Sequence, residues 1–187
     1  VKRIVIFGNS GSGKTTMARA LAGEHSLPHL DLDSLAWASQ GVRRPVEDSA
    51  RDIREFLASN EEWVVEGCYA DLLELTLNDA TELRFLNPGV EVCVAHCRAR
   101  PWEPDKYATP EEQDRMFDFL LSWVREYETR IDEYSLGRHR ALFDRFAGPK
   151  QEIVGRQAEL GESGSVPQPA PVRTRITPSG QGPGAHP

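Results

Sequence analysis

Short β-branched and aromatic runs alternate along this chain with stretches whose apolar positions recur every three or four residues. Arg3-Ile4-Val5-Ile6-Phe7 is the first run and reads as a buried strand. Thr16 to Ala22 follows as an amphipathic helix, and Leu27 to Asp31 predicts a second strand entered through Pro28. A helix is expected to start at Pro45 and continue through Asp48 to Ala58, with Ile53, Phe56 and Leu57 on one face. Trp63 to Gly67 predicts a third strand, Asp71 to Leu77 a short helix, and Glu82 to Leu86 a fourth strand broken by Asn87-Pro88-Gly89. Glu91 to Arg98 reads as helical in spite of its valines. Thr109-Pro110-Glu111-Glu112 is a helix start, with a Thr cap, Pro at the first position and acids in the first turn. That helix is expected to run to about Tyr134, with Phe117, Leu120, Leu121 and Val124 inward. Ser135 caps a last helix through Phe146, and Gln151 to Val154 predicts the final strand.

Alternating β and α elements imply an α/β fold, a parallel five-stranded sheet covered by helices on both faces. Right-handed crossovers bring the carboxyl ends of all its strands to one rim. Residues 1–154 are expected to form one domain. Eleven of the 27 residues from Gly161 to Pro187 are Gly or Pro, and such a segment buries too little apolar surface to offset its ordering entropy. Residues 155–187 therefore read as a Gly/Pro-rich disordered tail. There is no internal repeat.

The first strand runs directly into Gly8-Asn9-Ser10-Gly11-Ser12-Gly13-Lys14-Thr15, which fills every position of G-x-x-x-x-G-K-[ST], the P-loop pattern. Strand, glycine loop and helix follow one another as this motif requires. The glycines let successive backbone N–H groups face one anion, and the helix N-terminus adds partial positive charge. Lys14 is then placed to reach the β- and γ-phosphates, Thr15 to ligate Mg²⁺, and Thr16 to complete the cradle. The alternative is a glycine-rich turn that happens to precede Lys-Thr. The strand and helix around it favour nucleoside triphosphate binding.

A formal charge of −7 argues against a dedicated nucleic-acid binder, whose footprint is a basic face. The chain enters its first strand without an apolar leader and has no run of eighteen apolar residues, so it is expected to be soluble and cytoplasmic. Cys68, Cys93 and Cys97 are then expected to be thiols. Cys93, His96 and Cys97 are spaced for a metal, but lack a nearby fourth ligand, and packing is the favoured reading.

With its P-loop, its Asp31-Leu32-Asp33 turn and its Glu66-Gly67 strand end, the chain resembles the small nucleotide- and shikimate-kinase group of P-loop proteins. The run from Arg3 to Lys14 is similar to the adenylate-kinase-like proteins associated with DNA topology modulation. His29 to Trp37 and Trp63 to Tyr69 extend the likeness, which covers residues 1–75 well and 76–150 by order of elements. The chain carries Glu66-Gly67-Cys68-Tyr69 where members of that group often have Asp-Gly-Asn-Tyr. The resemblance implies a nucleoside-monophosphate-kinase-like fold using ATP and Mg²⁺.

It also implies roles on the rim. Asp31 would hold a Mg²⁺-bound water, and Asp33 would orient the acceptor hydroxyl and take its proton late in transfer. Either aspartate also reads as a helix cap. Glu66 ends an apolar strand, where a carboxylate is costly without a cation, so a Mg²⁺ role competes with a solvated strand end. The remaining cations are Arg43, Arg44, Arg98, Arg100, Lys106, Arg115, Arg125 and Arg130. Residues 98–115 match in position the mobile lid of such kinases, and Arg98 and Arg100 are its expected catalytic arginines beside Lys14 and Asp33. Any one of these arginines also reads as a solvated charge. Trp37, Trp102 and Tyr69 read as packing residues, with stacking on an acceptor as the alternative. The expected activity is Mg²⁺-dependent phosphoryl transfer from ATP to an unidentified small molecule or nucleotide; the alternative is a regulatory ATPase acting through a partner.

Overall fold

A computed structural model describes residues 1–38, 42–102, 104 and 108–155. Strand β1 (Arg3–Gly8) lies at the centre of a five-stranded, all-parallel sheet of order β2-β3-β1-β4-β5. Its partners are β2 (His29–Asp31), β3 (Trp63–Gly67), β4 (Glu82–Leu86) and β5 (Lys150–Ile153). Helices α1 (Lys14–His25), α2 (Asp33–Ala36), α3 (Val46–Ser59), α4 (Ala70–Glu74), α5 (Val90–Ala99), α6 (Pro110–Arg125) and α7 (Leu136–Arg145) form the connections.

Side chains of β1 alternate between the two faces, as strand geometry requires. Ile4 and Ile6 pack with Val64, Leu86 and Ile153 against Ala18 of α1. Val5 and Phe7 pack with Trp63, Val65, Leu83 and Phe85 against Ile53, Leu72, Leu73 and Leu142. Helices α3, α4 and α7 thus cover the face opposite α1. A third cluster joins Cys93, Val94 and Cys97 of α5 to Leu121 and Val124 of α6. Strands buried on both faces explain the continuous apolar runs in the sequence.

Several boundaries differ from the sequence reading, α1 for example spanning Lys14–His25 rather than Thr16 to Ala22, and three of the differences have a local cause. The β2 strand starts at His29, because Leu27 belongs to the end of α1: Ser26 turns into the left-handed region (φ 54°) and the Leu27 N–H donates to Ala22 O at 2.9 Å. This is the hydrogen-bonded helix stop in which the following apolar residue folds back on the helix. Helix α6 ends at Arg125 rather than near Tyr134. The chain tightens into a 3-10 turn over Glu126–Glu128, with the Arg130 N–H donating to Glu126 O, and this turn buries Tyr127. Helix α4 covers Ala70–Glu74, shorter than expected, and residues 75–79 continue in turns, with the Thr76 hydroxyl donating to Leu73 O.

All three cysteines are buried free thiols. Among the described residues no group of three or more His, Cys, Asp or Glu is placed to hold a metal, and Cys93 and Cys97 pack in the α5–α6 cluster. No helix among the described residues is long and apolar enough to cross a membrane. Residues 156–187, the predicted tail beyond Gly155, lie outside the described residues.

Candidate active site

The carboxyl ends of β1, β2 and β3 meet because the three strands are adjacent in the sheet. Glu66 is in register with Ile6 on one side and Asp31 on the other. The Gly8–Lys14 loop leaves β1 here and opens α1. Gly13 occupies the left-handed region (φ 95°) at the helix N-cap, a conformation glycine adopts without the Cβ penalty. Gly11 (φ 79°) is confined as well: a Cβ there would sit 2.3 Å from Cys93 O and 2.8 Å from Cys97 Sγ. Helix α5 therefore packs directly on the loop, and His96 Nδ1 donates to Gly11 O at 2.8 Å.

Asn9 ties the loop down from inside. It is buried, donates through Nδ2 to Val124 O at 3.0 Å and accepts the Ser10 N–H on Oδ1 at 2.8 Å. Lys14 is buried too, and its Nζ donates to Asn9 O at 2.9 Å. The ammonium thus lies across the loop, where a phosphate oxygen would replace the carbonyl as acceptor.

Glu66 is only 1 % exposed. Burial pushes its carboxyl up to about 7; Lys14 and a hydrogen bond from Thr15 oppose the shift, while Asp31 and Asp33 add to it. Oε1 has no hydrogen-bond partner, and His29 Nε2, likewise without one, stands 3.8 Å away. A buried carboxylate oxygen without a donor is costly and calls for a cation. Glu66, Asp31 and the Thr15 hydroxyl suit Mg²⁺, which takes one or two carboxylates and completes its shell with phosphate oxygens and water.

Asp31 accepts the Asp33 N–H on Oδ1 at 2.9 Å, so it does shape the entry to α2. Asp33 lies in the first turn of α2, whose N-cap is Leu32. Its Oδ1 accepts from the Tyr69 hydroxyl at 2.5 Å, and Tyr69 Oη in turn accepts from Trp37 Nε1 at 2.6 Å. Tyr69 is 3 % exposed, and burial and the neighbouring Asp33 carboxylate push its phenol well above the usual range. It therefore stays a donor throughout neutral pH. Arg43 lies over the Tyr69 ring, 4.6 Å from the centroid, and pairs with Asp71 at 2.8 Å.

Residues 4–65 match the family model described as "ATPase family associated with various cellular activities (AAA)". That match spans 62 of the 187 residues and stops one short of Glu66. No curated protein sequence matches the chain. Among solved structures, an unliganded sugar kinase from Janibacter sp. HTCC2649 superimposes with a TM-score of 0.49 at 17 % identity, over 86 % of this chain and 90 % of that one. A gluconokinase from Sinorhizobium meliloti 1021 superimposes with a TM-score of 0.51 at 22 % identity, over 86 % and 90 % of the two chains. The chain has the fold of the P-loop kinases.

On this P-loop kinase fold, the loop residues Gly8 to Thr16, Lys14, Asp31, Asp33 and Glu66 all come to one rim. Arg98 is exposed in the last turn of α5 and Arg100 caps it. Both stand just beyond the part of α5 that packs on Gly11. Of the expected lid, residues 98–99 close α5 and 110–115 open α6, while Glu103 and residues 105–107, Lys106 among them, lie outside the described residues. Arg44 pairs with Asp52, and Arg130 with Asp132. Three contacts escaped the sequence reading: Tyr69 on Asp33, Asn9 on Val124 and His96 on Gly11. A Tyr just beyond a rim strand was the available clue for the first, since a buried phenol needs a partner; no local pattern marked the other two.

Proposed function

We propose that this chain transfers the γ-phosphoryl group of ATP to a hydroxyl of a small molecule, with Mg²⁺ required. The observation that carries this reading is the Trp37–Tyr69–Asp33 chain of hydrogen bonds at the P-loop rim. A nucleotide switch needs the loop and a metal carboxylate. It does not need a second carboxylate held by a buried tyrosine where an acceptor would sit.

In this reading the loop N–H groups and the N-terminus of α1 bind the phosphates, and Lys14 exchanges Asn9 O for a phosphate oxygen. Asp33 orients the acceptor hydroxyl, and the acceptor oxygen bonds to the γ-phosphorus as the bond to the ADP oxygen breaks. The hydroxyl proton passes to Asp33 and then to solvent. Tyr69 keeps that carboxylate in one orientation. Arg98 and Arg100 contribute positive charge beside the loop as negative charge moves onto the leaving ADP. Thr15, Glu66 and Asp31 would hold Mg²⁺, which when bound neutralises charge on the β- and γ-phosphates. The setting this implies is the cytoplasm, where ATP is supplied and the three thiols stay reduced.

An acceptor panel assayed by ADP release and product mass tests the reading. Acceptor-dependent ADP with a product heavier by one phosphoryl group supports it. ADP release that no acceptor alters, with inorganic phosphate as the only other product, favours the regulatory ATPase.

A further inference from the structure

Tyr69 is held through its backbone as well as through its hydroxyl. It stands in the two-residue junction between β3 and α4, with φ −97° and ψ 93°, where the sheet ladder to β1 has ended. His139 Nε2 donates to Cys68 O at 3.0 Å, and the Ala70 N–H donates to Glu133 O at 2.9 Å. These groups are the carbonyl of the peptide before Tyr69 and the N–H of the peptide after it. Each peptide is planar, so pinning both planes fixes the two soft dihedrals between them and with them the direction of the Tyr69 side chain. The Tyr134 ring closes the bracket, edge to face on Tyr69 at 5.4 Å. Glu133, Tyr134 and His139 all lie in one stretch around the start of α7.

A histidine is costly to bury at this position. His139 is fully buried, with Phe7 at 5.6 Å and Phe85 at 6.1 Å from its ring, and an apolar side chain would fill the space without desolvating two nitrogens. Both nitrogens are used. A carbonyl only accepts, so Nε2 carries the proton toward Cys68, and Nδ1 accepts from the Tyr127 hydroxyl at 2.7 Å. Tyr127 thereby fixes the tautomer that the Cys68 carbonyl needs. The relay from Tyr127 through His139 to Cys68 continues through Tyr69 to Asp33. A ring that only filled the core would not need two directed hydrogen bonds, one of them ending beside Tyr69.

We propose that His139 is a positioning residue for phosphoryl transfer: through the Cys68 carbonyl it fixes Tyr69, and through the Tyr69 hydroxyl it fixes the Asp33 carboxylate that receives the acceptor hydroxyl. The inference rests on the phosphotransferase reading. His139 acts only through other residues, and no proton moves along the relay, since each donor keeps its hydrogen throughout the reaction. The aim of the acceptor base is thus set from a helix residue 71 positions beyond Cys68.

The test uses the double variant Tyr127→Phe/His139→Leu of the full chain. Replacing both partners of a buried hydrogen bond by apolar groups is close to neutral for stability, so this protein is expected to fold while the Cys68 carbonyl loses its clamp. The first readout is the indole ¹⁵N–¹H signal of Trp37, assigned with Trp37→Phe, because that N–H donates to Tyr69 Oη. The signal should shift or broaden in the double variant. It should stay in place in His139→Gln, whose amide can still donate to Cys68 O and accept from Tyr127. The second readout is turnover with a productive acceptor: kcat should fall about tenfold while the KM for ATP is unchanged. In a Tyr69→Phe background the same substitutions should cause no further fall, because the effect passes through that hydroxyl. A folded double variant with an unmoved Trp37 signal overturns the proposal. So does a moved signal with unchanged kcat, or a fall in kcat just as large in the Tyr69→Phe background. Should the double variant not fold, Tyr127→Phe alone decides: without a donor on Nδ1 the ring no longer holds one tautomer, and an unmoved Trp37 signal overturns the proposal. Should the wild type phosphorylate no acceptor, the phosphotransferase reading fails, and the Trp37 signal alone decides whether His139 holds Tyr69.

Discussion

The Tyr69 hydroxyl donates to Asp33 Oδ1 at 2.5 Å, joining the end of β3 to the first turn of α2 across the proposed acceptor position. Tyr69→Phe removes this donor and the acceptor of the Trp37 indole N–H while keeping the ring. The acceptor-dependent kcat is expected to fall about 10- to 100-fold, with stability lowered by about 1 kcal/mol and the KM for ATP little changed. Steady-state kinetics with denaturant unfolding checks this; an unchanged kcat would make the contact purely structural.

Asp33→Asn removes the proton acceptor in a nearly isosteric way. The expected loss in acceptor-dependent rate is about 100-fold or more, with ATP affinity retained. Isothermal titration with ATP alongside turnover separates the two effects. A parallel loss of both would place Asp33 in the nucleotide site instead.

Gly11→Ala drives a methyl group against Cys93 O and Cys97 Sγ at a φ of 79°. The left-handed backbone alone costs about 1–2 kcal/mol for a residue with a side chain, and relief requires α5 to move off the loop. Lower thermal stability together with weaker ATP binding is expected. A stable variant with normal affinity would show that the α5 contact is slack.

Two buried groups give stability opposite pH dependences. His139 donates Nε2–H to Cys68 O at 3.0 Å, so Nδ1 accepts from the Tyr127 hydroxyl at 2.7 Å. Burial lowers its pKa to about 4, the Cys68 carbonyl opposing the shift. The unfolded chain then binds the extra proton, and stability is lost as pH falls from about 6.5 to 4. Burial raises Glu66 to about 7, so there the folded chain binds the extra proton and stability is lost as pH rises from about 4.5 to 7. Each is worth up to about 3 kcal/mol at 1.36 kcal/mol per pKa unit. The two nearly cancel in the wild type between pH 4.5 and 6.5. Urea unfolding without nucleotide or metal should show His139→Gln gaining stability on acidification from pH 7 to 5 relative to wild type, and Glu66→Gln losing it. Parallel curves for all three proteins would mean that neither group is perturbed.

Local chemistry made much of this fold legible. The β1 run, the glycine loop and the Thr109-Pro110 start carry their conformation in nearest neighbours, and β3 and β4 have the boundaries their apolar runs predict. The rim residues Lys14, Asp31, Asp33 and Glu66 follow from strand ends, because parallel strands deliver those ends to one edge. What was not legible depends on partners distant in sequence. The early end of α6 is fixed by Tyr127 turning in to meet His139, and the Asp33–Tyr69 bond spans 36 positions. Arg43 and Arg130 looked like surface charges because nothing in their immediate sequence shows the rings they cover.

Following the label from [γ-³²P]ATP tests phosphoryl transfer at this rim most directly, with wild type and Lys14→Ala compared over the acceptor panel. The wild type should place label in an organic phosphate ester only when its acceptor is present. Lys14→Ala, folded by circular dichroism, should lose that transfer by about 10²–10³-fold, the scale of one preorganised electrostatic donor. Label appearing only as inorganic phosphate with every acceptor, or a folded Lys14→Ala protein that transfers it as fast as the wild type, would contradict a phosphotransferase centred on the P-loop.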